Sequence, residues 1–162
     1  MVLVGAVLLT SVASAQDGRR IASAGVSLAI PSGWQSLRLA PAPVGSKVGD
    51  PVTRLVTASS AVKFGRGCND IDYVIGPRAV AIVVLEWRAP TSGVSWVARP
   101  SHFTNTNLPV RAGAVECWAG SGGSMQFAQM GRRFAAFVLA GRGAPPASVS
   151  RARRVLDSLR VQ

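Results

Sequence analysis

The chain has 162 residues, of which 48% are hydrophobic and only 15% charged, a balance that excludes disorder as its main state. Eighteen basic residues against seven acidic ones give a net charge of +11. One His and two Cys leave little material for a metal site or a proton relay, so no cofactor is expected. The length favours one domain with a genuine core.

In chain order, Val2 to Val12 form an apolar run that is too short for a membrane-spanning helix, which needs about 20 residues. The run ends in Ala13-Ser14-Ala15, the small-x-small pattern of a signal peptide cleaved after Ala15. No basic residue precedes Arg19, so the natural start is expected slightly upstream. Residues 1–15 read as a leader and residues 16–162 as one secreted domain. The leader carries no charge, so the mature chain keeps all of the +11. Neither a transmembrane anchor nor a lipid-bearing Cys is expected. In an oxidising compartment the isolated pair Cys68 and Cys117 is expected to form a disulfide.

Residues 16–25 are small and polar and read as a leader into the fold. Val26 to Ile30 alternates as a half-buried strand, and Trp34 to Leu39 offers a second. Residues 40–51 hold three Pro and two Gly and read as a surface loop. Val52 to Thr57 is strand-like, residues 59–69 loop-like, and Ile71 to Ile75 a short strand. Ala79 to Trp87 is nearly continuous in apolar residues, as a central strand covered on both faces would be. Arg88 to Pro109 reads as a long, partly ordered loop anchored by Trp96. Ala112 to Trp118 is expected as a strand, and Gly120 to Gly123 as a flexible connector. Met125 to Met130 is expected to pair with Arg133 to Leu139 across a type II′ turn at Gly131-Arg132. The last element is a helix from about Pro146 to Leu159. Its Val149, Ala152, Val155, Leu156 and Leu159 share one face, with Arg151 and Arg154 pointing away. The fold class read from these elements is α+β: an antiparallel sheet with a C-terminal amphipathic helix packed on one face.

The segment Leu28-Ala29-Ile30-Pro31-Ser32-Gly33-Trp34, together with the terminal Val155-Leu156-Asp157-Ser158-Leu159, resembles uncharacterised secreted proteins of high-GC Gram-positive bacteria. It is also faintly similar to the PsbP/Mog1-type fold, an antiparallel sheet packed with helices. The resemblance implies a mostly non-enzymatic protein and supplies no catalytic residue.

Chemistry is sparse. No Gly-x-Ser-x-Gly elbow is present, and Gly120-Ser121-Gly122-Gly123 has the wrong spacing for one. His102 is the only side chain whose ordinary pKa suits a proton shuttle near neutral pH. Asn69-Asp70-Ile71-Asp72 offers oxygen ligands but lacks the further acids of a calcium loop, and Asx turns explain it. Glu86 and Glu116 are the only glutamates, and ion pairs with arginine explain them better than a paired-carboxylate hydrolase site. Sixteen of the 18 basic residues are Arg, scattered along the whole chain, and only Lys47 and Lys63 are Lys. Arginine favours bidentate contacts with phosphate or carboxylate. The aromatic interleaving of a nucleic-acid module is missing. The expectation is therefore a secreted, non-catalytic cell-envelope domain that binds an anionic polymer or surface, or a protein partner. The alternative is a small secreted hydrolase using Glu86, Glu116 or His102.

Overall fold

A computed structural model describes residues 18–39, 51–65, 73–88, 93–116 and 118–162. The expected leader at residues 1–15, the pair Cys68 and Cys117, and Asn69 to Asp72 lie outside the described residues. In chain order the elements are β1 (Arg19–Ser23), β2 (Val26–Ile30), β3 (Gln35–Ser36), β4 (Val52–Ala58), β5 (Val62–Phe64), β6 (Tyr73–Ile75) and β7 (Val80–Trp87). There follow β8 (Val97–Ala98), β9 (Arg111–Ala112), β10 (Ser121–Gln129), β11 (Arg132–Ala140), α1 (Pro146–Asp157) and β12 (Arg160–Val161). Among the described residues the protein is thus mostly antiparallel sheet with one C-terminal helix.

The main sheet runs in the order β3-β4-β7-β11-β10-β8, with β9 also on β10. Every pairing in it is antiparallel except the short β8–β10 contact. β7 lies between β4 and β11, as its unbroken apolar run predicts, and Val80 to Glu86 are all buried. Its alternation serves both faces. Val80, Ile82 and Val84 pack with Ala152, Val155 and Leu156 of α1, and with Val26, Leu28 and Ile30 of β2. Ala81, Val83 and Leu85 pack on the opposite side with Val62, Tyr73 and Val115. A second sheet, β1-β2-β12, therefore lies beside α1 on one face of the main sheet, while the small β5–β6 ladder lies on the other.

The helix follows its sequence pattern but ends at Asp157, so Leu159, though buried, lies beyond it. Pro145 and Pro146 open it, since an N1 proline gives up an amide that has no helical partner. Ala152, Val155 and Leu156 are buried, Val149 packs at the edge of the same cluster, and Arg151 and Arg154 are exposed. Arg99 donates from Nη2 to the Leu156 and Asp157 carbonyls at 3.3 and 2.9 Å, satisfying acceptors that a helix end leaves open.

Several segments differ from expectation. Residues 16–25 do not merely lead in, because Arg19–Ser23 pairs with β2 across a two-residue turn at Ala24-Gly25. Both turn residues have positive φ (48° and 74°), the conformation of a type I′ turn, whose twist matches that of the strands. The second hairpin also turns one residue earlier than expected: Gln129 pairs with Arg132, leaving Met130-Gly131 at φ 53° and 71°. This is again type I′, with Gly in the second loop position and not the first. The region 59–69 contains β5, and within Arg88 to Pro109 β8 pairs with β10. Of the described residues in the expected strand from Ala112 to Trp118, only Ala112 lies in a strand, β9. Gly120 to Gly123 is no flexible connector, since residues 121–123 are the first part of β10. A Cβ on Gly120 would collide with the Ala140 carbonyl, and one on Gly123 with the Pro109 carbonyl. These glycines permit close backbone approach.

Candidate functional site

One carboxylate, that of Glu86, is buried among the described residues. Glu86 lies at the end of β7, on the face that carries Val80, Ile82 and Val84, with its side chain only 8% exposed. Arg132, which opens β11, grips it through two bonds: Nε donates to Oε1 at 2.7 Å and Nη2 to Oε2 at 2.9 Å. Arg132 also donates to the backbone oxygens of Ala24 (2.9 Å) and Gln162 (3.2 Å), and stacks over the Phe134 ring at 5.2 Å. It thereby ties the main sheet to the β1–β2 turn and to the end of β12.

Arg54 supplies the second cation. The β4–β7 register shifts between Thr53 and Leu55, so Arg54 is the extra residue of a bulge, a device that re-aims a side chain. Its Nε donates to Glu86 Oε2. Burial alone would raise the Glu86 pKa, but hydrogen bonds from Arg132 and Arg54, together with their charges, hold it below the ordinary carboxylate range. Glu86 therefore stays ionised.

Beyond Arg54 opens a groove of about 500 Å³ between β1 and the β3–β4 edge. Its walls carry Arg19, Arg38, Arg54 and Ser36, with Ile21 and Leu55 among the apolar residues. Arg19 Nη2 donates to Ser36 Oγ at 3.2 Å across it.

A second basic surface covers the outside of the β1-β2-β12 sheet. Ile21, Val26, Leu28 and Val161 face the core, so Arg20, Ser27, Ala29 and Arg160 face outward by strand alternation. Arg20 Nη1 donates to Ser27 Oγ (3.1 Å) and to the Ser158 carbonyl (3.2 Å). Burial, and then the nearby charge of Arg160, lower the Arg20 pKa. Next to Ser158 a smaller groove of about 300 Å³ is lined by Gly18, Ala29, Pro31, Arg151 and Arg154. Arg20, Arg151, Arg154 and Arg160 thus form one continuous surface. None of the four pairs with a carboxylate among the described residues.

Of the residues of the hydrolase alternative, Glu86 and Glu116 are not brought together, and His102 contacts Asp157. Glu116 is exposed next to Val115, which packs against Gly122, and Gly122 is level with Leu139 and Ala81 in the sheet. Five residues of β7 separate that level from Glu86, about 17 Å at 3.3 Å per residue. Unlike Glu86, Glu116 has no ion pair with an arginine among the described residues. His102 is 74% exposed, and its Nδ1 is 3.3 Å from Asp157 Oδ2. The other Asp157 oxygen accepts from the Phe103 amide at 2.7 Å, which pins the segment to α1. His102 and Asp157 therefore make a local tether. Among the described residues, no group of three or more His, Cys, Asp or Glu could hold a metal, and no helix is long and apolar enough to cross a membrane.

Arg54 and Arg132 were not singled out by sequence reasoning. A signal for them existed: an acid at the end of a fully buried apolar strand must be paired or neutralised, and arginine is the abundant cation here. Which arginines answer it depends on a bulge and a hairpin register that spacing alone does not reveal. No protein family, curated protein or solved structure matches the chain.

Proposed function

We propose that the chain is a secreted, non-catalytic domain of the cell envelope that binds an anionic surface through its outer arginines. The observation that carries this reading is the face formed by Arg20, Arg151, Arg154 and Arg160. These guanidiniums share one surface with small neighbours, Ser27 and Ala29, and no described carboxylate compensates them. Like charges held side by side repel, and an external polyanion relieves that cost while forming charge-assisted hydrogen bonds. The use of Glu86 as an ion-pair hub and the separation of Glu116 from it also favour binding over hydrolysis.

The test is retention on vesicles of phosphatidylglycerol and phosphatidylcholine as salt is raised. Exposed charges are screened over about 8 Å at physiological ionic strength, so binding should fall steeply with salt and vanish on pure phosphatidylcholine. Retention that ignores both salt and lipid charge would replace this reading with an apolar protein-partner site.

A further inference from the structure

We propose that the groove between β1 and the β3–β4 edge is a discrete binding site for the phosphoryl group of a small phosphomonoester. The arginines of the outer face are exposed and have no described carboxylate to hold them, whereas this groove contains an arginine fixed in place. Arg54 is held through Nε by Glu86, and Glu86 is in turn held by two bonds from Arg132. Arg132 spends both of its amino groups on Glu86 and on backbone oxygens. The two amino groups of Arg54 have no partner among the described residues, and Arg54 lines the groove. An oriented guanidinium with unused donors binds an oxyanion at little entropic cost, because its own rotamer is already set.

The remaining walls suit the same group. Arg19 and Arg38 add two cations, and Ser36 Oγ, which accepts from Arg19, keeps its own proton to donate. Three guanidiniums and a hydroxyl exceed what one planar carboxylate can satisfy. They match the charge of about −1.5 to −2 and the three acceptor oxygens of a phosphomonoester. The groove volume of about 500 Å³ leaves room for a small organic portion beside the phosphoryl group. In this arrangement Glu86 is a positioning residue that acts through Arg54.

The site uses residues separate from those of the outer face, so the two proposals fail independently. Calorimetric titration of the full chain with inorganic phosphate, glucose 6-phosphate and acetate reads it directly. Saturable one-to-one binding of both phosphates is expected, with glucose 6-phosphate at least as tight as inorganic phosphate and acetate at least tenfold weaker. Arg54→Gln should weaken glucose 6-phosphate about tenfold, as loss of a charge-assisted contact does. Because Arg54 also touches Glu86, the exposed substitutions Arg38→Gln and Arg19→Gln provide a test that leaves the ion-pair cluster intact, and each should weaken binding several-fold. Arg151→Gln with Arg154→Gln should change it less than twofold while reducing vesicle retention. Acetate binding as tightly as phosphate, or affinity unmoved by both Arg38→Gln and Arg19→Gln, would overturn the proposal.

Discussion

Two sets of arginines in this molecule have opposite surroundings. Arg54 and Arg132 converge on Glu86 inside the fold, and the carboxylate they share is almost fully buried. Arg20, Arg151, Arg154 and Arg160 lie on the outside of the β1-β2-β12 sheet and α1 with no described carboxylate among them. A net charge of +11 does not distinguish the two sets. The contrast teaches that charge is structural where a buried acid demands it, and uncompensated where backbone geometry places it on a surface with no described acid to neutralise it.

The largest expected effect comes from breaking the inner set. Glu86→Ala leaves two partly buried guanidiniums facing each other and should destabilise by about 3–5 kcal/mol, measured as a shift of the urea midpoint. A midpoint within about 0.5 kcal/mol of the parent would mean that the cluster is not structural. Next comes the helix that presents Arg151 and Arg154. Leu156, on the same helix but fully buried, should cost about 2–5 kcal/mol as Leu156→Ala.

Acid offers a milder way to disturb the cluster, because protonating Glu86 keeps its shape. Its folded-state pKa lies below its unfolded value. The ionised form therefore contributes stability above the unfolded pKa, near 4.3, and that contribution is lost as pH falls through the lower folded value. Stability should decline across this acid window in the parent and decline less in Glu86→Gln. Equal slopes would show that other carboxyl groups carry the dependence. The smallest effect on stability is expected from the outer set: Arg154→Gln should move the midpoint by less than about 0.5 kcal/mol while weakening attachment to anionic vesicles.

The elements that periodicity describes well are those where one face is uniformly apolar. β7 and α1 occupy their expected places because burial on two faces, or along one stripe, leaves a direct trace in residue type. The hairpin of β10 and β11 was also visible, but its turn was misplaced by one residue. Gly131 fits a type II′ turn in the first loop position and a type I′ turn in the second, and only the pairing of Gln129 with Arg132 decides between them. β1 was missed because Arg19, Arg20 and Ala22 are all exposed, so the strand has little apolar alternation to read. Gly120 to Gly123 misled for a physical reason as well. Glycine marks both mobile connectors and places where backbones crowd, and the Ala140 and Pro109 carbonyls that make this the second case are distant in sequence. At the site, Glu86 was readable as a carboxylate in need of cations. The identity of Arg54 rests on a bulge that leaves no mark in composition.

The central claim is that the outer arginines bind the anionic surface, while the ion pairs of the inner ones with Glu86 hold the fold. It is tested most directly by the salt dependence of phosphatidylglycerol-vesicle binding for the parent and for Arg151→Gln/Arg154→Gln/Arg160→Gln, measured side by side on folded protein. The predicted result is weaker binding and a shallower fall with salt in the triple variant, at an unchanged thermal midpoint. The same affinity and the same salt slope in both proteins would contradict it and place the binding charge elsewhere on the molecule.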